Sequence, residues 1–362
     1  MSRNHAALAC TVLACASALL GCGTKSEVAS ADASVPETSA DTAVACTTDL
    51  MHDPKNCGSC AHDCLGGICN LGACDPAVVA GNLDLPSAMV LDGTYLYFAY
   101  AGHVARVLAA GGAVEDLSTQ AFTAQKLSVD ATAVYVMTGS RVIRFPKTGD
   151  VSGAATQELA LAVGSALTTD VSSIFFQVPA GLAAAPKKGA GDGGVGDGGA
   201  GVLLAALGSD TIDDIAVDDS FAFVSLPGPG TVLKVAKTGA VGDAGAGVLA
   251  TGEATPSSVA LDATYVYFTN NMGGAVRRVP KAGGPVTDFL TGLGRPLGLA
   301  VDASRLYYTD EVKGTVGSCP LSGCAMGKQT HAMGMRPVAV AADAVAIYFL
   351  DFGARALMRV AR

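Results

Sequence analysis

The chain has 362 residues, half of them hydrophobic and 45 of them glycine, with 23 basic against 32 acidic side chains and a formal charge of −9. That apolar content excludes a wholly disordered chain, and an acidic balance with no basic cluster excludes a nucleic-acid partner. One large domain with appendages is the expectation at this length.

The chain opens "MSRNHAALACTVLACASALLGCGTKSE", where Arg3 precedes an apolar run from Ala6 to Leu20. The run is too short and too small-sided to prefer a bilayer span, so residues 1–21 read as a secretory signal. No other stretch reaches the roughly 18 apolar residues that a span needs. The end "LLGC" resembles the lipobox of bacterial lipoproteins, in which a small residue before the cysteine permits cleavage and the thiol takes a diacylglyceryl group. The resemblance makes Cys22 the lipid-bearing first residue of the mature chain. Gly23, rather than Asp, follows it, which under the sorting pattern of enteric lipoproteins that the resemblance implies points to the outer membrane. Through residue 45 the sequence is rich in Ser, Ala, Thr and acids, lacks aromatics, and cannot bury enough apolar area to offset ordering entropy. Residues 22–45 therefore read as a lipid-anchored tether with a reach on the order of 25 to 30 Å.

Residues 46–75 carry Cys46, Cys57, Cys60, Cys64, Cys69 and Cys74 between polar and Gly-rich turns. A segment this short has no core of its own. In an exported chain six such cysteines predict three structural disulfides, whose connectivity the spacing leaves open. Zinc is the competing reading, because Cys57-x-x-Cys60 has finger-like spacing and His52 and His62 are near. The run "DPKNCGSCAHDCLGGICNLGAC" resembles the Cys-rich repeat named after plant stigma-specific proteins, which implies an extracellular module.

From residue 76 onward the chain repeats itself. The units "AMVLDGTYLYF", "KLSVDATAVYV", "ALTTDVSSIFF", "DIAVDDSFAFV", "SVALDATYVYF", "GLAVDASRLYY" and "AVAADAVAIYF" place aspartates at 92, 130, 170, 218, 262, 302 and 343. Five residues on, every copy has an aromatic: Tyr97, Tyr135, Phe175, Phe223, Tyr267, Tyr307 and Tyr348. Each unit reads as an apolar strand, a turn at the aspartate and a second strand of consecutive apolar residues. A third strand such as "VIRFPK" or "VRRVPK", a Gly-rich hairpin and a short fourth strand complete it. Four strands in about 40 residues is the size of a β-propeller blade, and consecutive apolar runs fit blades packed on both faces.

The predicted fold is all-β: a propeller of about seven four-stranded blades over 76–362, with six as the alternative. The last copy stops after three strands, and "AVVAGN" at 77–82 resembles the missing fourth, so it is expected to close the ring without an exposed edge. The units resemble the YWTD and NHL propeller families, with "PLGLAVDASRLYYTD" at 296–310 the nearest match. The six blades of YWTD propellers are what that resemblance implies for the count, against seven copies here. The chain has no tryptophan, a departure from that pattern that also argues against WD40 repeats.

Each repeated aspartate is expected to cap its own turn; one carboxylate per blade cannot converge on one ion. Cys319 and Cys324 fall at opposed positions of one hairpin and predict a structural bridge. The Gly-rich stretch 189–202, "GAGDGGVGDGGAGV", matches G-x-G-x-x-G through Gly194, Gly196 and Gly199. A strand follows it where a dinucleotide site needs a helix, so it reads as a lengthened hairpin in the third blade.

The loops entering the first strand and joining the second to the third form the expected ligand face. They gather Lys126, Asp213, Asp214, Asn270, Asn271, Arg295, Asp310, Glu311, Arg336 and Asp351. Gluconolactonase-like propellers, the alternative resemblance, hold a divalent metal in the central channel. The matching positions here are Ser87, Gln125, Ser165, Asp213, Ser257, Leu297 and Val338, too few oxygen ligands for a hard cation. No HExxH or G-x-S-x-G motif is present. The expected role is a non-catalytic binding or scaffolding module of the cell envelope, without a cofactor, attached to the membrane only by lipid. Its expected ligand is an envelope or extracellular protein or a glycan; the alternative is a channel-metal lactonase or hydrolase.

Overall fold

The structure, a computed structural model, describes residues 49–118, 123–149, 157–187, 201–238 and 246–362. Cys22, the tether, Cys46 and nearly all of the 189–202 glycine stretch lie outside the described residues. No described helix is long and apolar enough to cross a membrane.

Seven four-stranded antiparallel sheets make a seven-bladed propeller, which decides the blade count left open by the repeat. Blade 5 is representative, with strands Pro256–Leu261, Tyr265–Asn270, Ala275–Pro280 and Thr287–Leu290 in meander order. In blade 3 the third and fourth strands, Gly181–Pro186 and Val202–Ala206, pair antiparallel across the ends of the glycine stretch. Blade 7 is composite: Ala77–Ala80 pairs with Ala356–Ala361, so a strand from before blade 1 completes the last sheet.

Packing follows from the period-two alternation of the second strands. In blade 1, Leu96 and Phe98 face blade 7 and join Tyr348 and Leu350, while Tyr97 and Ala99 face blade 2 and join Val134 and Val136. A seam of this kind lies between every pair of adjacent blades. A second strand buried on both faces has no polar side to show, which is why these segments read as unbroken apolar runs. Each buried ring contributes roughly 1.5 to 3 kcal/mol.

The repeated aspartates act as expected in their own turns and also outside them. The Asp302 carboxylate accepts the Ser304 amide at 2.7 Å, the Arg305 amide at 2.8 Å and the Tyr307 hydroxyl at 2.8 Å. All seven aspartates take the two turn amides, and five take the tyrosine hydroxyl. Five also receive a cation that follows the third strand of the next blade: Lys147, Lys187, Lys237, Lys281 and Arg362 meet Asp92, Asp130, Asp170, Asp218 and Asp302. The aspartate ring is thus a set of clasps between blades.

In the Cys-rich segment the bridges are Cys57–Cys69 and Cys64–Cys74. This corrects the zinc reading, since Cys57 is bonded to Cys69 and a disulfide leaves no thiolate for metal. His52 and His62 are also engaged, with Asp49 at 2.9 Å and the Cys57 carbonyl at 2.6 Å. A third bridge would involve Cys46, outside the described residues; Cys60 is exposed. The segment packs on the propeller through Leu65, which touches the seam between blades 7 and 1, and Cys74, which touches the seam between blades 6 and 7. Cys319 and Cys324 are bonded across their hairpin in blade 6.

Candidate functional site

Two places on the loop-bearing side collect the sequence candidates: the mouth of the central channel and the rim over blades 5 to 7. The first strand of each blade faces the axis, so one residue per blade meets there. Ser87, Gln125, Ser165, Asp213, Ser257, Leu297 and Val338 all line a cavity of about 370 Å³. Its wall is polar over blades 1 to 5 and apolar over blades 6 and 7.

Six polar side chains of this wall, Ser87, Lys126, Asp213, Asp214, Ser257 and Ser258, are paired within the protein. Lys126 of blade 2 reaches Asp214 of blade 4, with Nζ 2.6 Å from Oδ1. The other Asp214 oxygen accepts the Val259 amide at 2.9 Å and the Ser258 hydroxyl at 3.2 Å. The Lys126 ammonium lies above its ordinary pKa: burial lowers it, but Asp214 and Asp213 outweigh burial. Asp213 accepts the Ser257 hydroxyl. Ser87 donates to the Ala124 carbonyl at 2.6 Å. Among the described residues, the only group of three acidic, His or Cys side chains close enough to share a metal is Cys57, Cys64 and Cys74, and all three are in disulfides.

On the rim, four of the candidates hold loops. Asp310 is fully buried and accepts the amides of Gly294 at 2.6 Å, Arg295 at 2.9 Å and Lys313 at 3.1 Å. Asp351 does the same one blade on, taking the amides of Met335, Arg336 and Ala354 at 2.8, 2.9 and 2.9 Å. Asn270 donates to Glu253 at 2.7 Å, and Asn271 to the Pro296 carbonyl at 3.4 Å.

Glu311, Arg295 and Arg336 form a different arrangement. The buried Glu311 carboxylate lies between two guanidinium groups, that of Arg295 at 2.9 Å and that of Arg336. The arginine side chains stay 46% and 47% exposed against 4% for Glu311. Arg336 also lies over the Phe352 ring at 4.7 Å. Around this cluster the same face exposes Met272, Val312 and Met335.

Two elements escaped the sequence reading. Glu253, buried and gripped by Arg277 at 2.7 Å, anchors Asn270 and carries no repeat signature. The clasp cations did carry one, because Lys or Arg follows the third strand in five of seven copies, as in "VIRFPK" and "VRRVPK".

The chain is a seven-bladed propeller of four-stranded blades. Solved structures of the same fold include virginiamycin B lyase from Staphylococcus aureus, 12% identical over 80% of this chain and 98% of that one, with a TM-score of 0.62. The extracellular domain of a hybrid two-component system from B. thetaiotaomicron is 12% identical over 80% of this chain and 43% of that one, with a TM-score of 0.60. BamB from Moraxella catarrhalis is 14% identical over 80% and 86%, with a TM-score of 0.51. No protein-family model and no curated sequence matches the chain. At these identities the likeness is one of fold.

Proposed function

We propose that this chain is an exported binding or scaffolding propeller of the cell envelope, without a cofactor. Residues 1–21 are removed, Cys22 carries lipid in the outer membrane, and 22–45 hold the folded part away from the lipid. The rim over blades 5 to 7 engages an envelope or extracellular protein. The observation that carries this reading is the pair Arg295 and Arg336, held half-exposed by the buried Glu311 beside exposed Val312 and Met335. Arginine and methionine are enriched at protein interfaces, and arginines fixed in place lose little entropy on binding. A glycan fits less well, because no aromatic side chain is among the exposed large hydrophobics of the described residues.

The lactonase reading needs about three convergent oxygen ligands beside a reactive centre. Asp214 is taken by Lys126 and Asp213 by Ser257, which favours binding over catalysis. The test uses the full chain immobilised against a detergent extract of envelopes, beside an Arg295→Glu/Arg336→Glu chain and an Asp213→Asn chain. Capture of a discrete protein should be lost in the double variant and kept in Asp213→Asn. Equal capture by all three, or lactone hydrolysis that Asp213→Asn abolishes, would reject the reading.

A further inference from the structure

Five blades carry a basic residue at one position of the third strand: Arg106, Arg144, Lys234, Arg278 and Arg359. Four of them donate to a backbone carbonyl of the next blade. Arg106 reaches Lys147 at 2.7 Å, Lys234 reaches Lys281 at 2.9 Å, Arg278 reaches Leu321 at 3.4 Å and Arg359 reaches Ala109 at 3.0 Å. Three also lie on a ring of their own blade: Arg106 on Tyr95 at 4.4 Å, Lys234 on Phe221 at 3.8 Å and Arg278 on Tyr265 at 4.5 Å.

Arg144 has neither support. The residue that would supply its ring is Ala133; its one side-chain partner is the Tyr135 hydroxyl, its Nε is unpaired, and among the described residues no carbonyl or carboxylate accepts from it. It is nevertheless only 7% exposed. Arg278 and Arg359 also leave Nε unpaired, but each keeps a carbonyl on Nη1. Beside Arg144 a cavity of about 680 Å³ opens between blades 2 and 3, on the face opposite the rim, with Lys187, Val129, Ala131, Thr169 and Val171 in its wall.

We propose that this cavity binds a small carboxylate on an apolar body, its head group on the Arg144 guanidinium and its body along Val129 and Val171. The charge count selects one negative charge. Lys187 is matched by Asp130 at 2.9 Å and Asp170 by Lys237, which leaves the Arg144 charge without a counter-ion. A buried unpaired charge is unfavourable, and the planar guanidinium fork fits a carboxylate. A dianion such as phosphate would put a second charge near Asp130 and Asp170, both of which line the cavity.

Equilibrium dialysis of the full chain against radiolabelled benzoate and benzamide tests this. Benzoate should bind saturably at one per chain, and benzamide at least tenfold more weakly. Arg144→Gln should weaken benzoate at least tenfold, whereas Arg106→Gln, the corresponding change in blade 1, should leave it within twofold. Ala131→Trp, at an exposed turn position in the cavity wall, should exclude benzoate and keep cooperative unfolding. No saturable benzoate binding, equal binding of benzamide, or retention in Arg144→Gln or Ala131→Trp would overturn the proposal. Should Arg144→Gln fail to fold, the acid-to-amide ratio and Ala131→Trp decide.

Discussion

Lys281, the first residue after the third strand of blade 5, holds its Nζ 3.1 Å from the Asp218 carboxylate of blade 4. The Asp218 carboxylate thereby caps a turn in its own blade and ties that blade to the next. Removal of such a carboxylate should cost more than neutralising it. Asp302→Ala loses two amide bonds, a tyrosine hydroxyl and the Arg362 pair, for about 2 to 3 kcal/mol. Asp302→Asn keeps an oxygen for the amides and should cost about 1 kcal/mol. Denaturant midpoints at unchanged slope measure the difference.

The same ring sets the acid limit of the fold. Burial raises the Asp302 carboxyl, but the Ser304 and Arg305 amides and the Tyr307 hydroxyl outweigh it and leave the group at about 2. Asp92, Asp130, Asp170 and Asp218 are lowered in the same direction. Groups depressed in the fold contribute stability that is complete above their unfolded value, 3.8 here, and lost as pH falls through the folded values. Unfolding free energy should therefore drop steeply between about pH 4.5 and 2. Asp302→Asn should flatten part of that slope in a pH series of denaturant curves.

His331 acts at milder pH. Burial, with Arg305 and Arg362 nearby, lowers its imidazole from 6.5 to about 4, and its Nε2 lies 2.8 Å from the Ser318 hydroxyl. The ring is neutral in the fold while the unfolded chain takes up a proton near 6.5. Its contribution is complete above that value and declines as pH falls toward 4. His331→Gln should remove this decline between pH 6.5 and 4 and leave the carboxylate-driven drop below it.

How much was legible depended on whether a feature repeats. An aspartate, two turn amides and an aromatic five residues on must recur wherever the same turn is built, so Asp92 through Asp343 marked every blade. The channel positions from Ser87 to Val338 were readable by the same alignment. Contacts between unlike blades were not: Lys126 and Asp214 meet across 88 residues. Nothing in either local sequence encodes that approach. Nor does spacing show that Asp310 faces backbone amides while the neighbouring Glu311 faces two arginines. The Cys57–Cys69 pairing was hidden for a related reason, since a short coreless segment has no periodicity to fix its cysteines.

Closure of the ring should depend on the cysteine segment. The Cys64–Cys74 bridge ends three residues before the closing strand Ala77–Ala80, and Leu65 packs on the seam beside it. Cys64→Ala/Cys74→Ala should cost about 3 kcal/mol and speed amide exchange in Ala77–Ala80. Cys319→Ala/Cys324→Ala, which opens a bridge of sequence separation 5, should leave exchange in that strand unchanged.

We propose the rim over blades 5 to 7 as the binding surface. Its most direct test places a photo-crosslinking residue in the exported full chain at Met335 on the rim or at Val171 on the opposite face, both exposed. One discrete protein adduct is expected from Met335, lost when Arg295 and Arg336 are changed to Glu, and none of that mass from Val171. The same adduct from both positions, or an adduct from Met335 that survives the charge reversal, would contradict it.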